Sequence, residues 1–148
     1  MKHTTPPKHR YVEWISPEEM HQAALEWLSE LNFARDEQRF LDDLVKSFTL
    51  QLTDSKVFSR SQKIIAEIVN SEHQLLSLMK QVQAHENLLE IMIDDVDQPD
   101  LEKAYKDEHR HLIEQVGTYL SDYRKQKKRL FNLMTEVMKR DKQKRLLT

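Results

Sequence analysis

The chain contains no cysteine and a single glycine, Gly117, and of its four prolines only Pro99 lies beyond residue 17. Without cysteine there is no disulfide framework, no zinc–thiolate site and no thiol nucleophile. With so little glycine and proline there are few places for tight turns, which excludes the many short strands of an all-β or α/β fold. No apolar run approaches the ~20 residues that span a bilayer. The basic start Met1–Arg10 is followed by Tyr11-Val-Glu-Trp-Ile rather than by the apolar core of a signal peptide. An excess of one charge is missing too. The formal net charge of −2 gives the whole molecule no electrostatic claim on nucleic acid or anionic lipid. A cytoplasmic protein with neither membrane nor nucleic acid as partner is the resulting expectation.

What the chain does have is charge and helical periodicity. Charged residues make up 32% and hydrophobic residues 39% of its 148 residues, a balance that suits long helices with solvated faces. At this length there is room for one domain with a real core. Residues 1–10 are polar and proline-containing, and read as a flexible start. Residues 11–15 carry too much apolar surface for a free tail and are expected to pack on the rest. Ser16-Pro17-Glu18-Glu19 then reads as a helix N-terminus: serine as cap, proline in the first turn, and Glu19 as the partner of a capping box. Ile15 and Met20 are spaced as a hydrophobic staple.

Three helices follow, near 17–52, 59–95 and 99–145. The first carries the stripe Ala24, Trp27, Leu31, Ala34, Gln38, Leu41, Val45, Phe48 and Leu52, with Asp54 or Ser59 as candidate cap of the next. The second reads Ser61, Ile65, Ile68, Glu72, Leu75, Met79, Val82, Glu86 and Leu89. Toward its end Leu88, Leu89, Ile91, Met92 and Ile93 surround the helix, which predicts burial on every side. The third, capped by Asp97 or Gln98, reads Leu101, Tyr105, Glu108, Leu112, Val116, Tyr119, Tyr123, Lys127, Leu130, Met134 and Met138, an eleven-residue repeat rather than a heptad. Two short connections predict an all-α, elongated up-down-up three-helix bundle over residues 16–148, with coiled-coil-like packing and surplus apolar surface for homo-oligomerisation.

Two groups of residues stand out as candidate sites. Counting from a turn near residue 97 sets Glu86 level with Glu108, and His111 follows Glu108 by one turn. His85 and His109 flank that level. One glutamate from a helix plus a Glu-x-x-His pair from its neighbour is similar to half of a ferritin-like di-metal site. Such a resemblance implies a dimeric, carboxylate-bridged centre binding iron or manganese through Glu86, Glu108 and His111. Chance alone gives about one Glu-x-x-His pair in a chain of this composition, so the leading expectation is structural: no cofactor, no catalytic residue, and an oligomeric interaction or scaffold module. The second group is Gln38, Glu72, Tyr119 and Tyr123, expected as a buried polar layer that fixes helix register.

Charge is segregated along the sequence. Residues 86–108 hold nine acids against two lysines, and residues 124–145 hold ten lysines and arginines against two acids. From the same counting, residues beyond about 136 are expected to overhang, so that this basic extension frays or meets another subunit or an acidic protein partner. No nucleophile with a base at motif spacing and no phosphate loop occurs in the sequence, which argues against an enzyme unless a metal is bound.

Overall fold

The computed structural model describes residues 16–94 and 99–147. The expected packing of Tyr11–Ile15, the Ile15 staple, and the cap at Asp97 or Gln98 lie outside the described residues. The fold is all-α, with no strand among the described residues. The described residues form four helices: α1 Pro17–Ser47, α2 Thr49–Leu52, α3 Phe58–Asp94 and α4 Pro99–Leu147. None is long and apolar enough to cross a membrane.

The cap at Ser16 is present: its Oγ accepts the Glu19 amide at 3.2 Å, and its carbonyl accepts the Met20 amide at 3.0 Å. The expected single helix to Leu52 is instead broken at Phe48, and the hydroxyl residues around it supply the reason. Ser47 donates to the Asp43 carbonyl at 2.9 Å, Thr49 to Lys46 at 2.8 Å and Thr53 to Leu50 at 2.9 Å. Such bonds compete with the helical ladder, and the Phe48 amide turns to the Val45 carbonyl, three residues back. Neither Asp54 nor Ser59 caps α3. Asp54 organises the connection by accepting the Lys56 amide at 3.0 Å, and Ser59 lies inside the helix.

Burial along all three long helices alternates by fours and threes. In α1 the inward positions are Met20, Ala24, Trp27, Leu31, Ala34, Gln38 and Leu41; in α3 they are Ser61, Ile64, Ile68, Ser71, Leu75, Leu78, Val82, His85 and Leu89. In α4 they are Tyr105, His109, Leu112, Val116, Tyr119, Tyr123, Gln126, Leu130, Leu133 and Val137. The last series is a heptad, so the eleven-residue reading of α4 is corrected. It had chosen Glu108 and Met138, which are exposed, one residue from His109 and Val137, which are buried.

Two compact units divide the chain, one comprising Met1–Asn32 with Leu76–Thr118, the other Phe33–Leu75 with Tyr119–Thr148. The core of the first centres on Met20, Leu89 and Tyr105, with Leu88, Met92 and Ile113 packed against it. Ile91, expected to be covered, is exposed. In the second unit α4 continues as helix through the basic extension, which finds partners inside the unit. Lys144 meets Asp54 at 3.2 Å, Arg145 meets Asp141 at 2.6 Å, and Gln51 reaches Asp141 at 3.5 Å.

Candidate functional site

The first unit holds a column of four rings from three helices. Trp27 of α1 stacks on His109 of α4 at 4.8 Å, His109 on His85 of α3 at 5.1 Å, and His85 on Tyr105 of α4 at 4.0 Å, nearly parallel. His85, Tyr105 and His109 are almost wholly buried. The Nε2 of His85 and the Nδ1 of His109 are 2.9 Å apart and share one proton as a hydrogen bond. The outer nitrogens, His85 Nδ1 and His109 Nε2, have no hydrogen-bond partner among the described residues. Whichever ring donates, one outer nitrogen is left with a proton and the other with a lone pair. Burial pushes His85 down to about 3, helped by the His109 charge, and burial alone pushes His109 down to about 4. Both rings are therefore neutral at pH 7.

Beside this column Glu86 is also buried. Its Oε1 lies 3.2 Å from the Nδ1 of His21 on α1, and its Oε2 accepts from Gln83 at 3.3 Å. With Glu90, one turn further along α3, His21 and Glu86 bring three ligand-type atoms within 4.8 Å of one another. The sequence-derived metal set is not assembled this way. Glu108 and His111 are exposed, and the partner of Glu86 is His21 rather than either of them.

In the second unit, Gln38, Ser71 and Tyr119 form a closed buried layer. Gln38 Nε2 donates to the Tyr119 hydroxyl at 2.9 Å and to Ser71 Oγ at 3.4 Å, while the Tyr119 hydroxyl reaches the Ser71 carbonyl at 3.1 Å. Of the four residues expected in one layer, the structure brings together Gln38 and Tyr119. Tyr123 turns to Glu37, donating to its carboxylate at 2.7 Å, with Lys127 on the same oxygen at 2.9 Å. Burial would raise Glu37, but the bonds from Lys127 and Tyr123 outweigh it and hold the carboxyl below its usual range.

Glu72 stands one residue outside the layer, and Ser71 takes the place in it that the sequence pattern assigns to Glu72. Its carboxyl faces Asp42 of α1, and one of its oxygens is buried without a hydrogen-bond partner. Desolvation, then the proton shared with Asp42, pushes it up to about 7. A carboxyl raised in the folded state binds its proton more tightly there, so stability falls as pH rises from the ordinary value near 4.5 through about 7. Glu72→Gln is expected to raise stability at pH 8 by about 0.5–1 kcal/mol, discounted for solvent screening of this half-exposed group. Urea titrations at pH 5 and pH 8 check this, and an equal change at both would refute it.

A groove of about 340 Å³ between Arg60, Ile64, Arg129 and Leu133 is lined by charges that neutralise one another, Arg60 with Glu136 and Arg129 with Glu67. Neither a family model nor a curated protein nor a solved structure matches the chain.

Proposed function

We propose that the protein is a helical interaction module that acts as an oligomer, with three long helices in each unit running up, down and up in coiled-coil-like packing. The heptad spacing of buried positions supports the packing. Residue separations in the second unit support the directions. Glu37–Lys127 from α1, Gln51–Asp141 from α2 and Asp54–Lys144 from the connection after it are all 90 apart, as a segment running parallel to α4 requires. Arg60–Glu136 and Glu67–Arg129 exchange increments, as antiparallel α3 and α4 require.

The observation that carries self-association is a pair of rings. Phe33 and Phe40 of α1 are 69% and 59% exposed, far more than large aromatic side chains usually are. They stand seven residues apart, two turns along one outward face. Asp36 and Arg39 lie between them with opposite charges. An antiparallel copy would set Phe33 against the other Phe40 and acid against base, the reciprocal contact that a two-fold interface needs. A net charge of −2 does not oppose this. Burying a phenylalanine fully is worth about 1.5–3 kcal/mol, so four rings compete with the several kcal/mol lost on association. The expected product is a micromolar dimer serving as a scaffold.

Sedimentation equilibrium of the full chain is expected to give twice the chain mass at tens of micromolar, and the Phe33→Ser/Phe40→Ser variant the single mass with unchanged helix content. A monomeric parent, or an undissociated double variant, would overturn the reading.

A further inference from the structure

We propose that His21, Glu86 and Glu90 form a mononuclear site for a divalent transition-metal ion of the zinc type. This set uses neither Glu108 nor His111 and does not depend on self-association. Glu86 and Glu90 are four residues apart on α3, so their carboxylates emerge one above the other on a single edge. His21 comes from the first turns of α1, and its ring nitrogen is the third corner. The three ligand atoms lie within 4.8 Å of one another, and an ion would draw them in to the roughly 3.3 Å separation of tetrahedral ligands.

The closest pair carries the geometric detail. His21 Nδ1 and Glu86 Oε1 are 3.2 Å apart, yet Nδ1 has no hydrogen-bond partner among the described residues. Zinc holds imidazole nitrogen and carboxylate oxygen at about 2.0–2.2 Å in tetrahedral array, which places neighbouring ligand atoms roughly 3.3 Å apart. The observed spacing is that of two ligands facing a common centre.

Charge and the surrounding shell agree. Glu86 is 95% buried, counting from its 5% exposure, and a buried carboxylate needs positive charge beside it. A histidine ring supplies that charge only when protonated, whereas a divalent ion carries it at every pH and balances the two carboxylates. Gln83 donates to the second oxygen of Glu86 at 3.3 Å, the kind of outer bond that orients metal-ligating carboxylates. Tyr105 adds an independent pointer. Its hydroxyl is buried with no partner among the described residues, and burial, then the nearby Glu86 charge, raises its pKa above the ordinary tyrosine range. It packs with Met20 and Leu89, the sequence neighbours of His21 and Glu90. A water in the fourth position of the ion would give that hydroxyl an acceptor. One imidazole and two carboxylates suit zinc, cobalt, iron or manganese in preference to a thiophilic ion.

The test is titration of the chelator-stripped full chain with Zn²⁺ by calorimetry and with Co²⁺ by visible absorption. One ion per chain is expected, with the intense ligand-field bands of four-coordinate Co²⁺. His21→Ala and Glu86→Gln should each weaken binding by about a hundredfold or more, and Tyr105→Phe by up to about tenfold. Because Glu86 is buried, its variant is paired with Glu90→Gln, an exposed change that leaves the fold intact and should weaken binding by at least about tenfold. His111→Ala should change nothing. Absence of Zn²⁺ binding, six-coordinate Co²⁺ bands, or parent-like affinity in Glu90→Gln would each overturn the site and leave His21–Glu86 as a polar clamp between α1 and α3.

Discussion

Lowering the pH from 7 to 4.5 is expected to cost this fold several kcal/mol of stability, and two histidines are the reason. His85 and His109 have the ordinary histidine value near 6.5 when unfolded, and about 3 and 4 when folded. Their stabilising effect is complete above pH 6.5. It is lost as the pH falls through 6.5 toward 4, because the unfolded chain takes up protons that the buried rings refuse. Each unit of difference corresponds to 1.36 kcal/mol, so even after a discount for partial solvation each ring contributes on the order of 2–3 kcal/mol across that window. Glu72 acts in the opposite sense over nearly the same range, gaining stability as the pH falls from about 7. Its half-exposed position limits it to a fraction of the histidine effect, and the histidines win. Against a net stability of about 5–15 kcal/mol, a loss of this size removes a large share of the folding free energy by pH 4.5. Urea midpoints at pH 7.5, 6, 5 and 4.5 measure the slope. His109→Leu keeps the volume of the ring and is expected to remove about half of it. At neutral pH the same change costs about 1–3 kcal/mol, because the inner nitrogen of His85 loses its partner. A stability curve that stays flat between pH 7 and 5 would refute this account.

The same histidines show where the sequence was readable and where it was not. Helix type and the ends of α3 and α4 followed from periodicity, from the scarcity of glycine and proline, and from Pro99. The break at Phe48 did not, because it depends on three hydroxyl groups turning back onto carbonyls, a choice that a periodic stripe does not register. The finer error was a shift of one position. Glu108 and His109 are both polar, and spacing from Leu112 admits either one. Stacking decides it, since a neutral imidazole can lie flat between Trp27 and His85 whereas a charged carboxylate cannot. Ile64 and Ile65 are identical and Leu78 and Met79 are both apolar, so neighbouring helices choose between them. Serine at position 71 was overlooked for a related reason. It is small enough to let Tyr119 approach, while Glu72, larger and charged, is carried to the edge. Nothing in the sequence pairs His21 with Glu86, and only the geometry sets the two side by side.

Replacing the layer at Gln38 one residue at a time is expected to be far more damaging than replacing all of it. Gln38 is 3% exposed and donates to both Tyr119 and Ser71, which are themselves buried. Gln38→Ala removes both donors and leaves a cavity, a loss of about 2–4 kcal/mol. Gln38→Leu keeps the volume, and because Tyr119 and Ser71 still bond to each other, the expected cost is only about 1 kcal/mol. The triple change Gln38→Leu/Ser71→Ala/Tyr119→Phe leaves no unpaired side-chain donor at that level. The expected result is stability within about 1 kcal/mol of the parent or above it, since packed apolar groups often match the polar cluster that they replace. What the triple variant should lose is uniqueness. Heptad stripes of Leu, Ile and Ala tolerate a slide of one helix along another, whereas a hydrogen-bonded triad closes in one register alone. Amide resonances from α1, α3 and α4 are therefore expected to broaden or double in the triple variant while helix content stays constant. A triple variant that is as destabilised as Gln38→Ala would mean that the layer contributes stability in its own right. One that keeps a single sharp set of resonances would mean that register is fixed elsewhere, with the stacked rings from Trp27 to Tyr105 as the next place to look.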